Sequence, residues 1–312
     1  MFFMGLARNA RYVRLGIDRG PMDSSEDMEV VVAERPSAES GIQPGGYLLE
    51  LSLDWIVLRA SENIHHLLGH SHVTLIDEPL GKFTQAQALH NLRNLFSRLS
   101  GTTGIARAYG VRLTDEHQRF DVAFQLSNGR VILEAVPSSE GHFGEEFGTV
   151  GGLIAGLNGS GQALLDGAAR RMRALTSFDR VTLLVGEAKA TSDRTGVPFR
   201  SGANASLSDD FPAIVSDTRG EPIPIFPRDD EDSAVAAALL TNPTSAQKAE
   251  LNDRGFAATM RIPVRLGAEQ VGEFRLAHTT RRKTNLELHA AAELFAQMFA
   301  MKLEIDRLGR GA

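Results

Sequence analysis

Nine histidines and no cysteine bound the chemistry open to this chain. Without a thiol there is no disulfide, no thiolate nucleophile, no zinc–thiolate site and no thioether link to a cofactor. His65, His66, His70 and His72 cluster, and His66 and His70 have the i, i+4 spacing of a helical metal pair. Gly69 should end the helix between them and no carboxylate completes a set, so a surface cluster is expected and no metal site. Ser160 in "LNGSGQA" superficially looks like a nucleophile turn, but no strand feeds it and no His–Asp pair can be assigned. "GLNGSG" lacks the Lys-Ser/Thr end of a phosphate loop, and the acids 229–232, "DDED", lack a calcium loop's glycine turn and bidentate Glu. The chain is therefore expected not to be an enzyme, the alternative being one without detectable motifs. Two places remain: His278 in "RLAHTT" and Asp210-Phe211-Pro212 in "SLSDDFP". Read alone, the first is a strand-end histidine and the second a turn or N-cap acid.

Those residues must be positioned by something, and a length of 312 residues suggests two domains. Apolar content of 42% with 23% charged residues is that of a soluble globular protein. A net charge of −6 and no basic stripe interleaved with aromatics argue against nucleic acid as a partner. No apolar run is long enough for a membrane span. The Arg-rich start, "MFFMGLARNARYVRLGIDRG", has too short an apolar core for a secretory signal, and Met22 or Met28 could equally begin the protein. Residues 1–29 are expected to be a disordered tail, and the protein cytoplasmic.

Along the chain, "GYLLELSLDWIVLRAS" predicts two strands joined at Ser52–Asp54, and Ser61 is positioned to cap a short helix that Gly69 stops. A helix from about Thr84 carries Leu89, Leu92, Phe96 and Leu99 on one face. "RFDVAFQLSNGRVILEAVP" predicts a hairpin about Asn128-Gly129. A Gly-rich joint at 138–152 precedes a helix over 153–176 and the strand "FDRVTLLVG". Residues 187–233 are polar and read as loop, followed by a short helix in "TNPTSAQKAELNDRGF", a second hairpin, and a helix over 285–308. On that last helix Ala291, Leu294, Met298, Met301, Ile305 and Leu308 repeat at 3-4 spacing, a coiled-coil seam. Leu288, Phe295, Phe299 and Leu303 form a second stripe, so one face should pack on its own domain and the other on a partner.

Several strings, in order, resemble the N-terminal PAS and GAF domains of bacteriophytochromes. "GIQPGGYLLEL" is similar to that family's Ile-Gln-Pro-His-Gly turn, with Gly45 where the family has histidine. "SENIHHLLG" and "FDVAFQLSNGRVILEAVP" resemble its PAS helix start and closing hairpin, and "RMRALTSFDRV" resembles the start of its GAF domain. "GEPIPIFP", "NPTSAQKAELNDRGFAATMRIPV" and "LHAAAELFAQMFAMKLEID" follow in family order. The resemblance implies an α+β fold: a PAS domain over 30–137, a linker over 138–152 and a GAF domain over 153–308, each an antiparallel sheet flanked by helices, ending in a long dimerisation helix. It implies a sensory, signal-transducing photoreceptor module with biliverdin in the GAF pocket. It also implies an N-terminal segment threaded through a GAF loop, which the shortened 187–233 region leaves open.

The chain departs from the family where pigment would be held. The attachment cysteine would fall at or beside Val31, and there is none. Asp210-Phe211-Pro212 resembles the Asp-Ile-Pro motif that accepts pyrrole N–H bonds, but the helix that follows it in the family is missing before "SDTRGEPIPI". "LLVG" replaces a Tyr-Arg-Phe whose Arg would clamp a propionate, and Asn242-Pro243-Thr244-Ser245 replaces Ser-Pro-x-His. His278 matches the second pocket histidine. The expectation is thus a phytochrome-like sensor without covalent bilin. The alternative is a red/far-red photoreceptor holding biliverdin non-covalently through Asp210, Phe211, Pro212 and His278. The seam Ala291, Leu294, Met298, Met301, Ile305 and Leu308 implies a homodimer. With no PHY, kinase, cyclase or DNA-binding segment after residue 308, a separate output protein is a further expected partner.

Overall fold

The computed structural model describes residues 41–99, 104–139, 145–197, 211–228 and 235–311. The expected tail 1–29, Val31, Asp210 and the acids 229–232 lie outside them. The first unit opens with β1 (Tyr47–Leu51) and β2 (Val57–Ser61), an antiparallel pair. β1 is buried along its whole length because both of its faces are covered. A 3-10 turn (Glu62–Ile64) leads into α1 (His65–Leu68), which Gly69 ends at φ 73. The predicted cap at Ser61 is not made: its Oγ instead accepts the Leu48 N–H of β1 at 3.1 Å. α2 (His72–Leu75) and α3 (Ala86–Phe96) follow, α3 burying Leu89 and Leu92. β3 (Ile105–Val111), whose mixed composition hides its period, pairs with β4 (Phe120–Ser127). β4 and β5 (Arg130–Pro137) form the predicted hairpin, with Asn128 and Gly129 both at positive φ, 47 and 73. Tyr47, Leu49, Trp55, Phe120 and Phe124 pack with α1 and α3 into one core.

The second unit differs more from its sequence reading. The joint and the single helix expected over 138–176 are two helices, α4 (Glu145–Ala155) and α5 (Gln162–Thr176). Between them Gly159 and Gly161 take φ of 92 and 56, where an α-helix cannot continue. Val150 of α4 is buried in the second core. β6 (Arg180–Val185) pairs with β7 (Ala188–Asp193), and two short strands follow, β8 (Ile214–Val215) and β9 (Ile225–Phe226). The region 187–233, expected to be loop, thus contains three strands: β7 is polar with alternate residues buried, and β8 and β9 are apolar but only two residues long, too short to show a period within polar surroundings. α6 (Ser245–Asp253) starts with a capping box between Thr244 and Gln247. The hairpin of β10 (Ala258–Leu266) and β11 (Glu269–His278) and the long α7 (Leu286–Gly311) complete the unit.

The second sheet runs β7-β6-β11-β10-β8, with α5 and α7 packed on one face through Met172, Phe274, Phe295 and Phe299. The first runs β3-β4-β5-β1-β2-β9, so its last strand comes from the second unit. A third apolar cluster joins the two, with Ile42, Leu48, Ala123, Ile132 and Val136 against Ile214, Leu239, Leu240 and Leu286.

Candidate functional site

Residues 41–43 are gripped on both edges by the second unit. Ile42 bridges Ile223 on one side and Thr241 on the other. Its N–H donates to Ile223 O at 3.0 Å and its carbonyl accepts from Ile223 N at 2.8 Å, while Gln43 N donates to Leu240 O at 2.9 Å. The Gln43 side chain is buried and fully used: Nε2 donates to the carbonyls of Ile214 and Thr241, and Oε1 accepts the Ser216 N–H at 2.7 Å and hydroxyl at 3.0 Å. An amide can do this and a carboxylate cannot, because the site needs two donors and two acceptor contacts from one group. β9 then pairs with β2, Arg59 Nε donates to Pro227 O at 2.8 Å, and His72 stacks on Phe226 at 4.8 Å between ring centroids. Ile42-Gln43-Pro44 was legible as a motif, but nothing in its spacing disclosed this clasp.

Of the predicted pigment contacts, Phe211, Pro212 and His278 do not converge on one open cleft. Phe211 is buried with Val215, Leu251, Phe256 and Ala277; Pro212 is half-buried beside it, and Asp210 lies outside the described residues. His278, at the end of β11, has its ring edge-on to Phe178 and its Nδ1 at 3.1 Å from Thr280 N and 3.4 Å from Asp179 Oδ2. Burial lowers its pKa, partly opposed by Asp179. Burial acts to raise the Asp179 pKa but is outweighed by the amide and hydroxyl of Thr279, by His278 and by Arg194, leaving it below the ordinary carboxylate value. Between β10 and β11, a carboxylate missed in the sequence sits between two guanidinium groups. Glu273 accepts from Arg261 Nε at 2.9 Å and Nη2 at 2.6 Å, and from Arg275, while Arg261 Nη1 donates to Phe211 O at 2.9 Å. Alternation of these charges with apolar residues along the two strands was the available signal. The histidines 65, 66, 70 and 72 gather no metal set: among the described residues no group of three or more His, Cys, Asp or Glu could hold an ion.

Residues 35–138 match the family model described as PAS fold. The chromophore-binding domain of the unusual bacteriophytochrome RpBphP3 from R. palustris aligns with a TM-score of 0.70 and 22% identity, covering 89% of this chain and 99% of that one. The chromophore-binding domain of Stigmatella aurantiaca phytochrome P1 aligns with a TM-score of 0.70 and 22% identity over 87% and 98%. The chain has the bacteriophytochrome PAS–GAF fold. It covers 60% of the Stigmatella aurantiaca photosensory core module. No curated protein matches the sequence.

In phytochrome terms the first sheet is the PAS sheet and the second the GAF sheet, and residues 41–43 are the clasp between them. The described residues of the GAF unit do not fit an open-chain tetrapyrrole. The crevice at the β8–β10 edge, lined by Phe178, Ile214, Thr259, Met260, Arg282 and Leu288 among others, has a cavity volume of about 20 Å³. That is far below the roughly 300–1,000 Å³ of drug-sized ligand sites, and four linked pyrrole rings with two propionates need at least such a site. Phe211 and Val215 fill the neighbouring space with their own side chains. Arg261 and Arg275 are paired with Glu273, Arg282 lies over the Phe178 ring, and His278 contacts Asp179 and Thr280.

α7 corrects the seam in part. Ala291 is completely buried in the GAF core and belongs to no free face, whereas Met298 packs against that core and is half-buried. Both lie where the helix is enclosed by α4, α5 and β10, and a 3.5-residue repeat drifts across a 3.6-residue helix. Leu294, Met301, Ile305 and Leu308 are exposed, whereas Phe295 and Phe299 pack on Phe274 at 6.1 and 5.5 Å. Among the described residues no helix is long and apolar enough to cross a membrane.

Proposed function

We propose that this chain is a phytochrome-like sensory module of cytoplasmic signal transduction, not an enzyme, and that it carries no covalent bilin. One observation supports the reading above the others: the clasp of Gly41–Gln43 between Ile223 and Thr241, with β9 completing the PAS sheet. It ties the two sensory domains into one body, so a change in the GAF unit is felt by the PAS sheet and by α7 together. The absence of any cysteine removes thioether attachment, and the filled, ion-paired face of β10 and β11 argues against a loosely held pigment. The signal leaves through α7, whose exposed Leu294, Met301, Ile305 and Leu308 suit a second copy of the chain or a separate output protein.

The test is absorbance of the purified chain mixed with biliverdin in the dark and then illuminated alternately with red and far-red light. The spectrum is expected to remain that of free pigment. A stable red band that reverses with illumination would overturn this reading in favour of a photoreceptor with non-covalent biliverdin.

A further inference from the structure

Leu286, His289 and Glu293 form a stripe of α7 at 3-4 spacing that meets the PAS sheet. Leu286 packs in the apolar cluster that joins the two domains. The two polar members share one partner, Arg107 of β3. Its Nη2 donates to Glu293 Oε2 at 2.7 Å and to His289 Nδ1 at 3.1 Å. A guanidinium only donates, so Nδ1 accepts and the imidazole proton sits on Nε2. The same Nδ1 lies 3.7 Å from Glu293 Oε1, one helical turn away. Nδ1 therefore has two mutually exclusive partners: it accepts from Arg107, or, carrying the proton itself, it donates to Glu293. The docked arrangement leaves the Arg107 Nε–H and the His289 Nε2–H buried without an acceptor among the described residues. Such unmet donors offset part of what the Nη2 contacts contribute.

We propose that Arg107, His289 and Glu293 form a two-position latch between the PAS sheet and α7. In the closed position Arg107 holds both α7 residues. In the open position His289 Nδ1–H donates to Glu293, and Arg107 is released to water. Between the two, Nε2 gives its proton to water and Nδ1 takes one back, so the imidazole is neutral in both. Burial, with a smaller push from Arg107, holds the His289 pKa down at about 4 against the pull of Glu293, which keeps the ring uncharged near neutrality. The Glu293 side chain is 31% exposed, so water and salt reach the pair. Phe295 and Phe299 pack on Phe274, so release frees α7 from the PAS sheet without unpacking it from the GAF core. Glu293 adjoins Leu294 of the exposed row, and the latch thereby sets how that row stands against the PAS domain. Its part in signalling rests on α7 being the route by which the signal leaves.

The experiment records long-range proton–nitrogen NMR correlations of the histidine rings in the full chain near neutral pH, with His289 assigned by its loss in His289→Asn. The unaltered chain is expected to show His289 with the proton on Nε2. Arg107→Met should shift the ratio of the two tautomers at least about tenfold toward Nδ1–H, and adding Glu293→Gln should cancel that shift. In the unaltered chain the Arg107 Nε–H and His289 Nε2–H should exchange with water on the order of a hundredfold faster than the amide of Phe274 in the central strand β11, each corrected for its intrinsic rate, and faster still in high salt. An Nδ1–H ring in the unaltered chain, an unchanged tautomer ratio in Arg107→Met, or side-chain protons as slow as the Phe274 amide would each overturn the latch. If Arg107→Met does not fold, proton exchange in the unaltered chain still decides it. None of these signals depends on biliverdin absorbance, so the latch and the sensory reading fail separately.

Discussion

Gln43 and Ser216 are 173 positions apart in sequence, yet the Ser216 amide and hydroxyl both donate to Gln43 Oε1, at 2.7 and 3.0 Å. The same side chain donates to the carbonyls of Ile214 and Thr241. Gln43→Ala leaves these groups buried and unpaired. Each orphaned group costs about 1–3 kcal/mol, so a loss of about 3 kcal/mol or more in denaturant unfolding is expected. Gln43→Glu should also destabilise, because a carboxylate cannot donate to the two carbonyls. A change below about 0.5 kcal/mol in the alanine variant would mean that the clasp contributes no stability.

Glu273 stands between Arg261 and Arg275, and all three side chains are largely removed from water. Glu273→Gln removes the anion that Arg261 and Arg275 share, and breaking a buried pair from one side costs about 3–5 kcal/mol. Replacing the three together with apolar residues of similar volume should restore most of that loss. Thermal unfolding of the single and triple variants checks both statements.

Phe211 is 5% exposed and packs with Val215, Leu251, Phe256 and Ala277. Phe211→Ala should cost about 3 kcal/mol through lost burial and the cavity left behind. If Phe211 is instead a lid over an open cleft, the variant will unfold at nearly the wild-type denaturant concentration.

Met301, Ile305 and Leu308 are 52%, 69% and 65% exposed on the outer half of α7. Apolar side chains in that row are expected to be covered by a second copy of the chain. Sedimentation or light scattering should give a dimer mass for the wild type and a monomer mass for the Met301→Glu, Ile305→Glu double variant. A wild type that is monomeric at all accessible concentrations refutes the dimer.

Asp179 has a depressed pKa and joins β6 to the end of β11 through Thr279, whose amide and hydroxyl donate to Oδ2 at 3.0 and 2.7 Å. A group whose pKa is lower folded than unfolded supplies stability above its ordinary pKa and loses it as pH falls through the folded value. Wild type should therefore lose more stability on acidification than Asp179→Asn, most visibly below about pH 4. Parallel acid-unfolding curves for the two proteins would assign that acid sensitivity to other groups.

What the amino-acid order determined by itself was local. Asn128-Gly129 closes β4 and β5 because those types tolerate positive φ. Gly69 ends α1 for the same reason. The aromatic stripe of Phe295 and Phe299 marks the core face of α7. The zero count of cysteine excluded a thioether at once.

What only the tertiary structure decided depends on residues distant in sequence meeting. β9 is too short to show a period, and exists because β2 offers it an edge. Ser61 could cap a helix but serves the Leu48 amide, since the closing sheet brings that donor first. Ala291 fits a heptad seam on paper but is enclosed, because helix periodicity says which residues share a face and not which neighbours surround each turn. Gln43 is marked in the sequence only as part of the Ile-Gln-Pro string, which does not show its partners. Its role comes from desolvation between two domains, where an unpaired polar group is costly and each partner matters.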